Sequence, residues 1–157
     1  MDFPVAGRFL TFEKIKPLSF HFSFFTEKPL AENLVEGREG QFLSYFFKHL
    51  AVDAVPVLKG LDEYTRVYSR PGVWLSGMEW YRAWPADELD NAEYMKRPLT
   101  IPVRILAQHS TFEPLFRALK DAAPDATGRP VDGSGHWLPE EKPDEVISEI
   151  RTFFGLA

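Results

Sequence analysis

The chain is 157 residues long; 45% of its residues are apolar, 26% are charged, and none is cysteine. This length and composition suit one globular domain or a fragment of a larger one, and they exclude a disordered chain, a disulfide scaffold and a thiol nucleophile. The 18 basic and 23 acidic residues give a net charge of −5, which argues against nucleic acid or an anionic membrane as the main partner. Because no stretch has the pattern of a signal peptide or of a membrane span, we expect a cytoplasmic protein.

The pattern from about residue 17 to residue 97 is helical, with apolar positions at spacings of one, three and four. Helices are predicted at residues 30–36, 39–50 and 61–68, and from Pro71 to Pro85. The last of these should end at Pro85, because proline has no amide hydrogen and its ring clashes with the preceding turn. The apolar stripe of the second helix consists of Phe42, Leu43, Phe46, Phe47 and Leu50.

The last third of the chain changes to an α/β pattern. Strands are predicted at residues 101–107 and 127–132, and helices at residues 113–122 and 143–154. The final helix should bury a stripe made of Val146, Ile147, Ile150, Phe153 and Phe154. Strand, helix, strand, loop and helix in this order favour a parallel sheet. Because two parallel strands alone are marginal, we expect these elements to belong to a larger fold.

His136 is the residue most suggestive of chemistry. It lies in the glycine-flanked loop Gly133-Ser134-Gly135-His136-Trp137, after a predicted strand and before a helix. The glycines allow a sharp turn that brings the imidazole out at the carboxyl edge of the sheet, where open α/β folds place their sites. The local sequence leaves two interpretations open: a catalytic base, or a loop histidine with an ordinary hydrogen bond.

Two further side chains have the same ambiguity. His21 lies in the aromatic run at residues 20–25 and could donate a hydrogen bond into an apolar pocket, although a core histidine bound to a carbonyl is the more common case. Tyr81 could present its hydroxyl to a cavity or simply pack in an aromatic stripe. Glu140 and Glu141 are interpreted as charges that favour a helix start, without a catalytic role.

Other motifs of known chemistry are missing from the sequence. It has no nucleophile elbow, no P-loop and no dinucleotide-binding glycine pattern, so no cofactor is expected. The four histidines lack metal-ligand spacing, so no metal site is predicted. His49 is interpreted as compensating a helix dipole, and His109 as a loop residue.

Several segments together resemble one family. Residues 133–141, GSGHWLPEE, closely resemble the catalytic-histidine segment of α/β-hydrolases of the epoxide hydrolase and haloacetate dehalogenase group. The run at residues 20–25, FHFSFF, resembles the cap-domain histidine segment of the bacterial Cif-type epoxide hydrolases. Residues 64–71 and 79–83 resemble their second cap segment, in which a tyrosine precedes an arginine.

This resemblance implies an α/β fold, the C-terminal half of an α/β-hydrolase with a helical cap. Residues 1–10 would be the end of a core strand and a loop, residues 11–97 the cap, and residues 98–157 the C-terminal segment of the core. The start of the chain, MDFP, resembles the end of the sixth strand, where this subgroup places the acid that orients the histidine.

The resemblance also implies functional roles. In this family an upstream aspartate opens the epoxide and forms an ester, a cap His/Tyr or Tyr/Tyr pair holds the epoxide oxygen, and the loop histidine activates water. His21 and Tyr81 would be the ring-opening donors, His136 the base and Asp2 its orienting acid. The small apolar substrate would contact Phe20, Phe22 and Trp137. The Asp2 assignment agrees with the absence of an acid at residues 108–112.

The family's N-terminal half, with the nucleophilic aspartate, is missing from this sequence. We therefore expect a truncated chain that is inactive alone and that self-associates or pairs with a missing N-terminal half. One alternative is a haloacid dehalogenase of the same superfamily, which the residues beside the nucleophile would distinguish. The other is a non-catalytic fragment or interaction module.

Overall fold

The computed structural model of the chain describes residues 6–7 and 11–156. In this part of the chain a run of helices comes first and a parallel α/β segment follows. The helical run consists of α1 (Phe12–Ile15), α2 (Phe20–Thr26), α3 (Leu30–Val35), α4 (Glu39–Leu50), α5 (Ala54–Leu58), α6 (Leu61–Tyr68) and α7 (Val73–Tyr94). The α/β segment consists of β1 (Arg104–Gln108), α8 (His109–Lys120), β2 (Thr127–Val131), α9 (Leu138–Glu141) and α10 (Pro143–Phe154).

The sheet positions the loop that holds His136. β1 pairs in parallel with β2, with Arg104 opposite Thr127 and Gln108 opposite Val131. Both strands therefore end at the same edge, and the loop after β2 leaves from that edge. The core between the sheet and α8 is made of Ile105, Ala107, Leu115, Ala123 and Ala126.

Aromatic side chains form most of the core of the helical run. Phe25 of α2 packs with Met78 of α7 and with Val35 of α3. A neighbouring cluster centres on α4 and buries Leu43, Phe46, Phe47 and Val57. The stripe predicted on α4 is confirmed at its three central positions, because burial of large apolar side chains is what stabilises an amphipathic helix of this length. Trp137 packs against the same cluster, so the helical run and the loop after β2 share one core.

Periodicity located several helices correctly. The predictions at residues 39–50, 61–68 and 143–154 are confirmed with the same bounds, and the helix predicted at residues 30–36 is observed one residue shorter. The aromatic run at residues 20–25 was predicted only as part of a generally helical region; it forms α2. None of the described helices is long and apolar enough to cross a membrane.

The predicted end of a helix at Pro85 was wrong. α7 continues through Pro85 to Tyr94. Trp84 is fully buried just before the proline, and after it Glu88 accepts a hydrogen bond from the Phe12 amide. The Asn91 side chain donates to the Ala6 carbonyl at 3.2 Å. Tertiary contacts on both sides of the proline thus hold the helix together where local propensity predicts a break.

Two predictions in the last third also need correction. His109 is the first residue of α8 and not part of a loop, since the helix begins directly after β1. The stripe of α10 is not buried: Ile147, Ile150 and Phe154 are 50%, 47% and 67% exposed. The side of α10 that meets the sheet is instead held by Glu149, which accepts hydrogen bonds from Arg104 and Arg129.

Arg82 ties α7 to two other helices. Its side chain is only 9% exposed, and its Nη2 lies 2.7 Å from Oε1 of Glu32 in α3. Its Nε donates to the Phe25 carbonyl at the end of α2 at 2.7 Å. A buried guanidinium bound to both of these helices fixes their position relative to α7, and hence the relative position of His21 on α2 and Tyr81 on α7.

Replacing Arg82 should therefore destabilise the fold. We expect Arg82→Met to lower the free energy of unfolding by about 3 kcal/mol, because the change leaves the Glu32 carboxylate partly buried without its cation. Chemical denaturation followed by circular dichroism measures this. The matched control is Arg66→Met, since Arg66 forms an exposed pair with Glu63. Equal stability of the two variants would contradict the role of Arg82.

Candidate functional site

The loop that carries His136 has a fixed shape. Gly133 has a φ of +67°, which favours glycine, and it turns the chain directly after β2. Ser134 is buried, and its hydroxyl donates to the Val131 carbonyl at 2.9 Å. The hydrogen bond ties the loop back to the end of the strand, so the sheet edge determines where the next residues go.

The loop is docked on the C-terminal end of α4. The His136 amide donates to the Leu50 carbonyl at 2.9 Å, and the Trp137 indole donates to the Phe47 carbonyl at 3.2 Å. Contact is so close that a Cβ on Gly135 would lie 2.6 Å from the Val52 amide nitrogen. Any other residue at position 135 would push the loop away from the helix end.

The Glu141 side chain also joins the His136 loop to the segment that follows α4. Its carboxylate is buried, and Oε1 accepts hydrogen bonds from the amides of Gly135 at 3.0 Å and Trp137 at 3.2 Å. Oε2 accepts from the amides of Val52 at 2.9 Å and Asp53 at 3.0 Å. The interpretation of this residue as a helix-start charge accounts for the contact with the Trp137 amide at the start of α9, but not for the partners in the two loops.

A cavity of about 390 Å³ lies between the helical run and the His136 loop. Its wall is mostly aromatic, with contributions from Phe46, Phe47, Trp74, Trp80 and Trp137. Its polar side chains, among the residues that the structure describes, are Tyr64, Tyr68, Tyr81 and His136. A small, apolar cavity with a few polar groups is the usual form of a site for a small organic ligand.

His21 and Tyr81 are in contact with each other but differ in their position relative to this cavity. Their ring centroids are 5.3 Å apart with an edge-to-face geometry. Tyr81 is part of the cavity wall, whereas His21 packs against the wall residues Phe25, Phe46 and Tyr81. Both rings are thus near each other, as the sequence predicts, while the orientation of both donors toward one ligand atom stays a prediction.

Burial keeps His21 neutral. Burial, and secondarily the positive charges that His136 and His49 can carry, lowers the pKa of the His21 imidazole to about 4. Nδ1 of His21 lies 2.9 Å from the Ser19 hydroxyl oxygen. When that hydroxyl donates to Nδ1, the single proton of the neutral ring is on Nε2, which is then a hydrogen-bond donor.

Two of the three tyrosines of the wall, Tyr64 and Tyr81, are also held in their protonated forms. Burial, and secondarily the neighbouring Tyr68, raises the pKa of Tyr81 to about 12. The pKa of Tyr64 rises to about 12 chiefly because its hydroxyl donates to Glu140 at 2.7 Å. Near neutral pH both groups are therefore phenols that can donate a hydrogen bond.

Of the three residues predicted to contact the substrate, only Trp137 lies at the cavity. Phe22 is buried in a separate cluster with Trp84, and Phe20 packs on the outer side of α4 against Tyr45 and His49. Neither phenylalanine is part of the cavity wall: Phe20 packs behind the wall residue Phe46 and Phe22 behind the wall residue Tyr81.

The predicted orienting acid, Asp2, lies outside the described residues. Glu113, the first acid after β1, forms an exposed pair with Arg117. Within the described ranges no group of three or more histidine or acidic side chains is arranged to hold a metal ion. His109 lies 2.9 Å from Asp132 in an exposed pair at the carboxyl ends of the two strands.

The curated relatives that the chain matches are epoxide hydrolases. The chain is 35% identical, over 94 residues, to the soluble epoxide hydrolase of a Corynebacterium species, a match that covers 60% of this chain and 33% of that protein. It is 28% identical over 99 residues to epoxide hydrolase A of Mycobacterium tuberculosis, which covers 59% of this chain and 30% of that protein. No family model matches the chain.

Solved structures give the same result for the fold. The epoxide hydrolase CorEH has a TM-score of 0.78 and 26% identity, and the match covers 99% of this chain and 53% of that one. Cfl2 from Burkholderia cenocepacia has a TM-score of 0.78 and 29% identity, covering 88% of this chain and 48% of that one. The chain matches about a third of its curated relatives' length and about half of these structures.

The resemblance inferred from the sequence is therefore confirmed: in sequence and in fold the chain is similar to part of the epoxide hydrolase-like α/β-hydrolases. The fold class, a partial α/β-hydrolase with a helical cap, is confirmed as well. The cap and core boundaries at residues 10 and 97 and the roles of individual site residues stay predictions.

Some residues of the cavity were not singled out in the sequence. Tyr64 and Tyr68 lie on one face of α6 at a spacing of four, which is a detectable signal, although the same spacing is typical of ordinary packing. Glu141 gave no usable signal, since two of its partners lie 88 and 89 residues earlier in the chain.

The state of His21 gives a direct pH prediction. The folded-state pKa of about 4 is below the ordinary value of 6.5, so between these values the unfolded chain binds a proton that the folded chain does not. The free energy of unfolding is therefore highest, as far as His21 is concerned, above pH 6.5. As the pH falls toward 4, protonation of His21 in the unfolded chain lowers that free energy by up to about 3 kcal/mol. In NMR titrations of the folded protein, the His21 ring should titrate near pH 4.

The variant His21→Gln identifies the His21 resonance and should make the unfolding free energy less dependent on pH between 4 and 6.5. A His21 ring that titrates near pH 6.5 would contradict the buried, neutral state.

Proposed function

We propose that the chain supplies the cap and the water-activating histidine of an epoxide hydrolase that acts on a small apolar epoxide. The observation that carries the proposal is that Tyr81, held as a phenol, and His136 belong to the wall of one aromatic cavity of about 390 Å³. The relatives named epoxide hydrolases support the family of the reaction.

Ring opening requires a donor to the epoxide oxygen. As the carbon–oxygen bond breaks, negative charge develops on that oxygen, and a preoriented donor in an apolar site stabilises it strongly. Tyr81 supplies this donor as a protonated phenol. Neutral His21, whose ring is packed against Tyr81, supplies the second donor through Nε2.

His136 acts in the second half of the reaction. A carboxylate oxygen attacks an epoxide carbon, the ring carbon–oxygen bond breaks, and the alkoxide takes the proton of the Tyr81 hydroxyl, which leaves an ester and a phenolate. His136 then removes a proton from water, whose oxygen attacks the ester carbonyl and releases the diol and the carboxylate. The proton held by His136 returns through solvent to the Tyr81 phenolate. By resemblance the carboxylate is an aspartate from the N-terminal half of the fold, and Asp2 orients His136.

The part of the cavity wall that this chain supplies favours a neutral substrate over a haloacid. The carboxylate of a haloacid would need a cation beside it, because an unpaired charge in an apolar site is costly. The described side chains that line the cavity include no lysine and no arginine. An uncharged epoxide with an apolar substituent therefore fits these walls better.

Ligand binding by the chain itself tests the proposal. Trp74, Trp80 and Trp137 line the cavity, so their fluorescence should be quenched in a saturable way by styrene oxide. We expect Tyr81→Phe to weaken binding by about three- to tenfold, which is the usual effect of one hydrogen bond. Phenylacetate, a carboxylate of similar size, should bind more weakly than styrene oxide.

The matched control is Tyr45→Phe, because Tyr45 is 56% exposed on α4 and is not part of the cavity wall. Equal loss of binding in both variants, or preference for phenylacetate, would contradict the proposal. The same preparations are assayed for diol formation, and no turnover is expected without the carboxylate nucleophile. Turnover that disappears in His136→Ala would instead place the nucleophile within these 157 residues.

A further inference from the structure

We infer that Glu141 is a positioning residue for His136, and that it acts by joining the His136 loop to the segment after α4. The inference rests on the proposed function in one respect only, namely the role of His136 as the base. The contacts that support it do not depend on the reaction.

The carboxylate of Glu141 has hydrogen-bond partners in two separate segments. Gly135 and Trp137, the neighbours of His136 on either side, donate their amides to it at 3.0 and 3.2 Å. Val52 and Asp53, which follow α4, donate theirs at 2.9 and 3.0 Å. One side chain therefore satisfies four backbone donors from two parts of the chain that meet only in the folded structure.

Because the Glu141 carboxylate is buried, its hydrogen bonds stabilise one relative position of the two segments. Glu141 is 8% exposed, and a carboxylate out of water is stable only when its oxygens accept strong hydrogen bonds. Displacing either segment would leave part of the charge without donors. The carboxylate thus favours the state in which both segments are in place, over states in which the His136 loop has moved away from α4.

The position of the His136 ring follows from this constraint. With its neighbours held on both sides and its own amide bound to the Leu50 carbonyl, the backbone at His136 has little freedom. The ring is thereby placed in the wall of the cavity, beside Trp137. Loss of the Glu141 contacts should change the placement and mobility of the base more than it changes the aromatic walls.

Glu140 offers a matched control on the same helix. Its carboxylate accepts a hydrogen bond from the Tyr64 hydroxyl at 2.7 Å. A change from glutamate to glutamine at position 140 removes the same charge from the neighbouring position without touching the four amides. At position 141 the same substitution also replaces one acceptor oxygen with an NH2 group, which is a donor and would face the backbone N–H groups.

The experiment compares Glu141→Gln and Glu140→Gln with the unchanged chain by NMR. In Glu141→Gln, hydrogen exchange at the amides of residues 52, 53, 135 and 137 should be about tenfold faster or more, as expected for a lost charge-assisted hydrogen bond. The His136 ring resonances should shift or broaden at temperatures well below unfolding. In Glu140→Gln these amides and the His136 ring should remain unchanged.

A purely stabilising role predicts a different outcome. It would lower the unfolding temperature of Glu141→Gln while the native His136 signals stay as they are, and that result would overturn the inference. If the variant does not fold, long-range amide-to-carboxyl correlations in the unchanged chain decide the matter. The four amides should correlate with the Glu141 carboxyl carbon, and their absence would also overturn the inference.

Failure of the proposed function gives a separate pattern. If Glu141→Gln releases the loop but styrene oxide does not bind the cavity, the epoxide assignment is wrong and the positioning role remains. If styrene oxide binds in a Tyr81-dependent way while Glu141→Gln leaves the loop unchanged, the positioning role is wrong and the epoxide assignment remains.

Discussion

The docking of the His136 loop on the end of α4 is the contact on which the rest of the site depends. It is made by the hydrogen bond from the His136 amide to Leu50 and by the amides gathered around the Glu141 carboxylate. Through it the sheet edge and the helical run share one core, with Trp137 packed against Phe47. The cavity lies along this junction, so neither part of the chain forms it alone.

The chemistry of the cavity is that of neutral donors in apolar surroundings. Burial moves the pKa of His21 to about 4 and the pKa of Tyr81 to about 12, in opposite directions. In both cases it disfavours the charged form, which leaves an uncharged ring with a proton to donate. A hydrogen bond is stronger in such surroundings than in water, which suits a site that must stabilise charge as it develops on a small ligand.

Local signals in the sequence predicted what depends on local structure. The apolar spacing of α4 and the glycines around His136 were sufficient to locate a buried stripe and a loop at the sheet edge. The passage of α7 through Pro85 was missed, because contacts with distant residues near the start of the described chain offset the local cost of proline. Glu141 was missed for a similar reason: its identity favours a helix start, while its partners become visible only after folding.

The most direct test of this account is the structure of the chain with styrene oxide bound, by crystallography or by NMR distance restraints. The aromatic ring of the ligand should lie among the walls around Phe46 and Trp137. The epoxide oxygen should lie about 2.6–3.2 Å from the Tyr81 hydroxyl and within reach of a His21 ring nitrogen. A ligand in this cavity with its oxygen directed away from Tyr81 would contradict the account, as would a ligand bound only outside the cavity.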